Sequence, residues 1–195
     1  MKSSTIQTNR TSYPLLFVLF LFLGVMACSS ESTNEQGQVD QEVTMSIHEA
    51  IFFGNMAQLE ANIAAGTDLN QLDQFGSAPL HVASTFGKTE AAKRLIEAGA
   101  DLDVLNPEGS TPLHLAAFFC RTEITKDLLE GGADVAVRNN YQSTALESVQ
   151  APFASVKTIY DELGKALGPM GLKLDYRRLE ETRPRIAEMI QSYQN

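Results

Sequence analysis

The chain has 195 residues, with 24 Asp and Glu against 15 Lys and Arg, a formal charge of −9. An acidic balance of this size argues against nucleic acid or anionic lipid as the surface it binds. With only two cysteines, Cys28 and Cys120, assigning one of them to other chemistry leaves the chain without an internal disulfide.

The first residues, MKSSTIQTNRTSYPLLFVLFLFLGVMACSS, carry two cations, Lys2 and Arg10, and then 13 positions, 15–27, with no polar side chain. That run has the length of a signal-peptide core and is short for a membrane span. It stops at Cys28, and VMAC (25–28) resembles a bacterial lipobox. The resemblance implies cleavage before Cys28 and lipidation of Cys28. Ser29, rather than aspartate, after the cysteine implies the outer membrane. An ordinary signal peptide cut elsewhere, with Cys28 incidental, is the competing reading. Stable anchoring takes more than one acyl chain, which lipoproteins of this type are expected to carry. Residues 1–27 are thus expected to be a signal peptide and 28–44 a tether. SSESTNEQGQVDQEVT (29–44) has almost nothing to bury. Its reach is on the order of 20–25 Å as a flexible coil, which holds the rest of the chain just off the membrane, in the periplasm of a bacterial envelope. Residues 1–27 hold two bases and no acid, so the processed chain has 24 acids against 13 bases, a formal −11.

The middle of the chain repeats. APLHVASTFGKTEAAKRLIEAGAD (78–101) returns 33 residues later as TPLHLAAFFCRTEITKDLLEGGAD (111–134). DQFG (73–76) and NPEG (106–109) read as turns with Asp or Asn first and Gly last. A short helix is expected after each, with Ser77 or Ser110 as a polar starter and Pro79 or Pro112 in its first turn. Gly87 breaks the chain before a second helix, whose apolar set Ala91, Leu95 and Ile96 recurs as Ile124, Leu128 and Leu129 on one helical face. Gly99 and Gly132 then end it. No such unit buries its apolar face alone, so the units must stack.

A 33-residue period carrying TPLHLA (111–116) and APLHVA (78–83) resembles the ankyrin repeat. The fold expected is therefore all-α, an ankyrin-repeat solenoid of about four helix-turn-helix units with divergent ends. The repeats fall at about 45–72, 73–105, 106–138 and 139–174, within a domain 45–174, followed by capping helices over 175–195. The first unit keeps His48 and Gly54 but lacks the T-P-L-H turn. The fourth has Gln142 at the turn glycine, Glu147 at the histidine and Phe153 at the interhelix glycine. Its second helix, 155–167, is out of step with the period. GPMG (168–171) reads as a turn. Pro184 is expected to interrupt the last segment, with Thr182 capping a second short helix there.

All three histidines, His48, His81 and His114, sit at one register of the repeat. Stacked units are roughly 8–10 Å apart, whereas ligands of one zinc ion lie about 2.0–2.2 Å from it. A shared ion is therefore excluded, and the histidines read as structural. Cys120 occupies the register of Gly54 and Gly87. A catalytic thiol with His114 as its base is the alternative, but nothing supplies an oxyanion hole, and a buried inert thiol is expected.

The resemblance implies protein binding rather than catalysis, with no cofactor, metal or small-molecule substrate, and a monomeric chain. Function still has to be argued from the site. The family places its contacts at turn tips and at the ends of first helices. Those positions are Gln74, Phe75 and Ser77; Pro107, Glu108 and Ser110; Asn140, Tyr141 and Ser143; and, at the helix ends, Phe52, Phe53, Thr85, Phe86, Phe118 and Phe119. The five phenylalanines would form a contiguous apolar stripe if exposed, or would pack as core. Two functions follow as expectations: a tethered module that binds or regulates a partner protein, or an inhibitor or immunity-type protein against a toxin or hydrolase.

Overall fold

Each repeat after the first opens on a chain reversal closed by one side-chain oxygen. Oδ1 of Asp73, Asn106 and Asn139 each accepts two backbone N–H bonds, from Phe75 and Ser77, from Glu108 and Ser110, and from Tyr141 and Ser143, at 2.8–3.1 Å. Asp and Asn are favoured there because their side chains bond the backbone two residues on. The carbonyls of the three serines accept back from the N–H of Asp73, Asn106 and Asn139 at 3.0–3.1 Å, which makes a narrow finger. The computed structural model describes residues 42–194. The expected signal peptide, Cys28 and the tether up to residue 41 lie outside the described residues.

The helices, in order, are α1 (Ile47–Phe53), α2 (Met56–Ala64), α3 (Pro79–Phe86), α4 (Thr89–Glu97), α5 (Pro112–Phe118), α6 (Thr122–Glu130), α7 (Ala145–Gln150), α8 (Phe153–Leu167) and α9 (Tyr176–Ser192), with a 3₁₀ turn at Gly168–Met170. No strand occurs among the described residues. Ser46, Thr111 and Thr144 cap α1, α5 and α7 by accepting the N–H three residues on. The expected starters Ser77 and Ser110 are one residue early: the caps are Ala78 and Thr111. The reason is that the backbone of both serines is already committed to closing the finger.

First helices stack on first helices, α1 on α3, α3 on α5 and α5 on α7, and α4 stacks on α6. Ile47, Ile51, Leu59, Leu80, Leu95, Leu113, Ile124 and Leu128 are fully buried along this seam, and Ala83, Ala116 and Ala117 let the helices close up. Each buried aliphatic side chain contributes about 1.5–3 kcal/mol. α1 and α3 stop at Gly54 and Gly87 with φ of 72° and 66°, and Cys120 takes the same left-handed turn at φ 52°.

The C-terminal end departs from expectation. The expected second helix of the fourth unit is present as α8, but it is α9 that packs on α7, and α9 also meets α5 and α6. Thus α9 takes the place that α4 and α6 hold in their units, and α8 is an insertion. The insertion starts at Phe153, at the register where Gly54 and Gly87 turn the chain. Phe153 follows Pro152, and neither adopts the left-handed turn, so the chain runs on into α8. The expected break at Pro184 is absent too. α9 is one helix through it, because Leu179, Arg183, Ile186, Ala187 and Ile190 form a single buried face while Pro184 lies on the exposed side. Thr182 therefore caps nothing and lies inside the helix.

Candidate protein-binding surface

The histidines are the rungs between units. Nε2 of His48, His81 and His114 lies 2.9, 2.9 and 3.0 Å from the carbonyls of Ser77, Ser110 and Ser143, each in the next finger. Nδ1 of His81 accepts from the Ala78 N–H at 3.1 Å, and Nδ1 of His114 from the Thr111 N–H at 3.2 Å and the Thr111 hydroxyl at 2.8 Å. For these two residues the proton must then sit on Nε2 and donate forward. Both ring nitrogens are occupied, which leaves no lone pair for a metal. Burial pushes the pKa of both below the usual histidine value, with the Ser110 and Ser143 carbonyls opposing. The fourth unit has no following finger to reach. There Glu147 closes the capping box on Thr144 and holds Arg138 with two bonds of 2.7 and 2.8 Å.

The helix-end phenylalanines do not form one open stripe. Phe53 is 69% exposed, Phe52 and Phe86 are half-buried and meet edge-on at 5.0 Å, and Phe119 is 3% exposed. Phe118 is covered by α8, whose Tyr160 ring stacks on it at 4.4 Å. Thr85 is half-buried, and its carbonyl accepts from Arg121 Nη2 at 2.8 Å. Phe119 is thus core, and the exposed part of the stripe shrinks to the α1 end. α8 explains the covering of Phe118, and nothing in the 33-residue period announces where α8 lies.

The finger tips are open. Gln74, Phe75, Pro107, Glu108, Asn140 and Tyr141 are all exposed, with Phe75 at 66% and Tyr141 at 75%. Ser77 and Ser143 are half-buried and Ser110 is buried, and the carbonyls of all three serve the histidine rungs. Two apolar residues that the sequence reading did not select join the tips: Leu72 and Leu105, exposed and 33 residues apart. The period itself could have found them. Asn140 Nδ2 donates to the Pro107 carbonyl at 3.0 Å and its N–H to the Glu108 carbonyl at 2.9 Å, which ties adjacent fingers into one edge.

At the C-terminal end, Arg183 is buried and pairs with no carboxylate among the described residues. It donates to Tyr160 Oη at 3.0 Å and to the carbonyls of Ser148 and Ala151 at 2.8 Å, at the end of α7 where carbonyls lack helical partners. Tyr160 Oη donates in turn to the Phe118 carbonyl at 2.5 Å, and burial pushes its pKa up to about 12. Cys120 lies beneath α9 with its thiol 3.6 Å from the Leu179 carbonyl. Burial pushes that thiol up to about 11 against the opposing pull of three arginines. A thiol in that state is not an activated nucleophile. Among the described residues, no group of three or more His, Cys, Asp or Glu could hold a metal ion.

No curated protein matches the chain. Residues 47–139 match the family model described as ankyrin repeats (3 copies). The matched segment runs from α1 through α6 to Asn139 at the start of the third finger, and over that segment the finger-and-helix-pair stack is an array of ankyrin repeats.

Proposed function

We propose that the protein is a lipid-tethered module of the bacterial envelope that binds a partner protein along its finger edge. Ankyrin repeats are protein-interaction modules, and this stack has the exposed edge such a role needs. The observation that carries the reading is the row Leu72, Phe75, Leu105 and Tyr141, exposed on consecutive fingers that are rigidly bonded beneath. Apolar and aromatic side chains held open on a rigid frame are the usual anchors of a protein interface. The inner-helix ends contribute less than their sequence suggests, because Phe119 and Phe118 are covered. The tether reading is supported by VMAC after its 13-residue apolar run and by the polar segment that follows.

The test uses the full chain in its native envelope. A Phe75→Ser, Tyr141→Ser variant should keep its melting temperature and lose co-purification of the partner that the native chain retains. Retention of the partner by the folded variant would sink the reading. For the tether, Cys28→Ala should release the chain from membranes or leave it unprocessed. Unchanged membrane fractionation with cleavage elsewhere would refute that part.

A further inference from the structure

The first two fingers lie in segments without positive charge. Residues 42–87 contain no Lys or Arg, and neither do residues 95–120. These segments supply α1, α2, α3, α5, the first two fingers and the loops leading into them. Arg138, at the base of the third finger, is bound to Glu147 by two hydrogen bonds. The other bases among the described residues lie on or beside the second helices α4 and α6, on α8 and α9, or in the turn between α8 and α9. The carboxylates on the fingers and in the loops leading into them are open: Asp68, Asp101, Glu108 and Asp134 are exposed. None of them forms an ion pair among the described residues, where the pairs use Glu60, Glu97, Glu130, Glu147, Asp161 and Glu181. Asp68, Asp101 and Asp134 each brace their own loop by accepting the N–H two residues on, at 2.8–2.9 Å. Their positions are therefore fixed relative to the apolar row.

We propose that the occupant of this edge is a cationic protein segment, rich in Lys or Arg, that presents apolar side chains on the same face. This rests on the reading of the fingers as the binding edge and names the chemistry of what they bind. The apolar row supplies the anchors. The uncompensated carboxylates around it select the sign of the partner's charge and speed its approach. An acidic segment would meet like charge at every finger. A purely basic one would leave Phe75, Tyr141, Leu72 and Leu105 in water. Adjacent fingers are one unit apart, roughly 8–10 Å, so a helical segment of 18 residues, about 27 Å long, spans three of them.

The test holds the full chain in phosphatidylcholine nanodiscs and titrates it against three labelled 18-residue peptides, with empty nanodiscs as background. One is amphipathic with Leu and Lys, one has Leu and Glu, and one has Ser and Lys. The Leu/Lys peptide should bind at least about tenfold tighter than the other two, and should weaken by about tenfold or more between 50 and 300 mM salt. It should also weaken by about tenfold in Asp101→Asn, Glu108→Gln, Asp134→Asn and in Leu72→Ser, Phe75→Ser, Tyr141→Ser. If the Leu/Glu peptide binds as well as Leu/Lys and the apolar variant abolishes both, the cationic assignment fails while the finger edge stands. If neither variant changes binding, the edge itself is wrong. No binding by any of the three peptides also overturns the proposal.

Discussion

Gln142 offers a direct test of how the stack is held together. It stands where Gly76 and Gly109 stand in earlier units, and it keeps their left-handed backbone, at φ 59°. At the two glycines a side chain is blocked by the following unit. A Cβ on Gly76 would lie 2.6 Å from Pro107 Cγ, and one on Gly109 would lie 2.6 Å from Asn140 Oδ1 and 3.0 Å from the Asn140 nitrogen. After Gln142 no further finger follows, so a side chain fits and only the backbone strain remains. That strain is roughly 1–2 kcal/mol for an L-residue in this region. Glycine removes it but loses about 0.5–1 kcal/mol of unfolded-state freedom. Gln142→Gly should therefore stabilise by about 0.5–1 kcal/mol, roughly 2–3 °C in melting temperature for a chain of this size. Gln142→Ala keeps the strain and should give nothing. At Cys120 the same backbone relief is offset by the lost burial of the thiol, so Cys120→Gly should be neutral or destabilising. Gly109→Ala meets both strain and clash and should be the worst of the set. Thermal melts of the four variants decide it. A Gln142→Gly melt no higher than that of Gln142→Ala would refute the reasoning.

Further outcomes follow from the same contacts. Phe119→Ala should cost about 3–5 kcal/mol of stability as a core truncation, whereas Phe53→Ala should stay within about 0.5 kcal/mol; equal losses would show that the exposure gradient is wrong. Arg183→Met should destabilise by about 2–4 kcal/mol by stranding three acceptors, and a double-mutant cycle with Tyr160→Phe should show coupling above about 0.5 kcal/mol. Strict additivity would contradict the shared bond. His81 and His114 have folded pKa values below the unfolded value of 6.5. Their contribution is therefore complete above pH 6.5 and is lost as the pH falls through the lower folded values. The melting temperature should drop on acidification from pH 6.5 to 5, and His81→Gln should flatten that slope; an unchanged slope would remove His81 from the cause.

The repeating part of this architecture is legible because one register serves one bond. Pro79 and Pro112 start helices, Gly99 and Gly132 follow the ends of second helices, and His81 and His114 reach the next finger, all at 33-residue intervals. The structural role expected of the histidines needed only their spacing. Their acceptors, the carbonyls of Ser77, Ser110 and Ser143, could not be read, because a carbonyl carries no sequence signature. The last unit was misread for a related reason. Local pattern points to 155–167 for its second helix, out of step with the period, and that segment is helical as part of α8, but the partner of α7 is α9, which starts 23 residues after α8 does. Local periodicity reports that a helix has an apolar face and not what the face meets. The apolar face of α9 found α7, while Tyr160 of α8 found Phe118 at the end of α5. The site suffered from this insertion: Phe118 reads as an open binding position until Tyr160 of α8 is stacked on it. The finger tips Phe75 and Tyr141 were legible because a turn tip has no neighbour to cover it.

Site-specific photo-crosslinking tests the central claim most directly. A benzoylphenylalanine probe is placed in the full chain in its own envelope, in turn at Phe75 and Tyr141 on the fingers and at Lys93 and Lys126 on the exposed sides of α4 and α6. A discrete adduct to one partner protein from positions 75 and 141, with none from 93 and 126, is the expected result. Adducts from 93 or 126 with none from the fingers would place the working surface on the second helices and contradict the account.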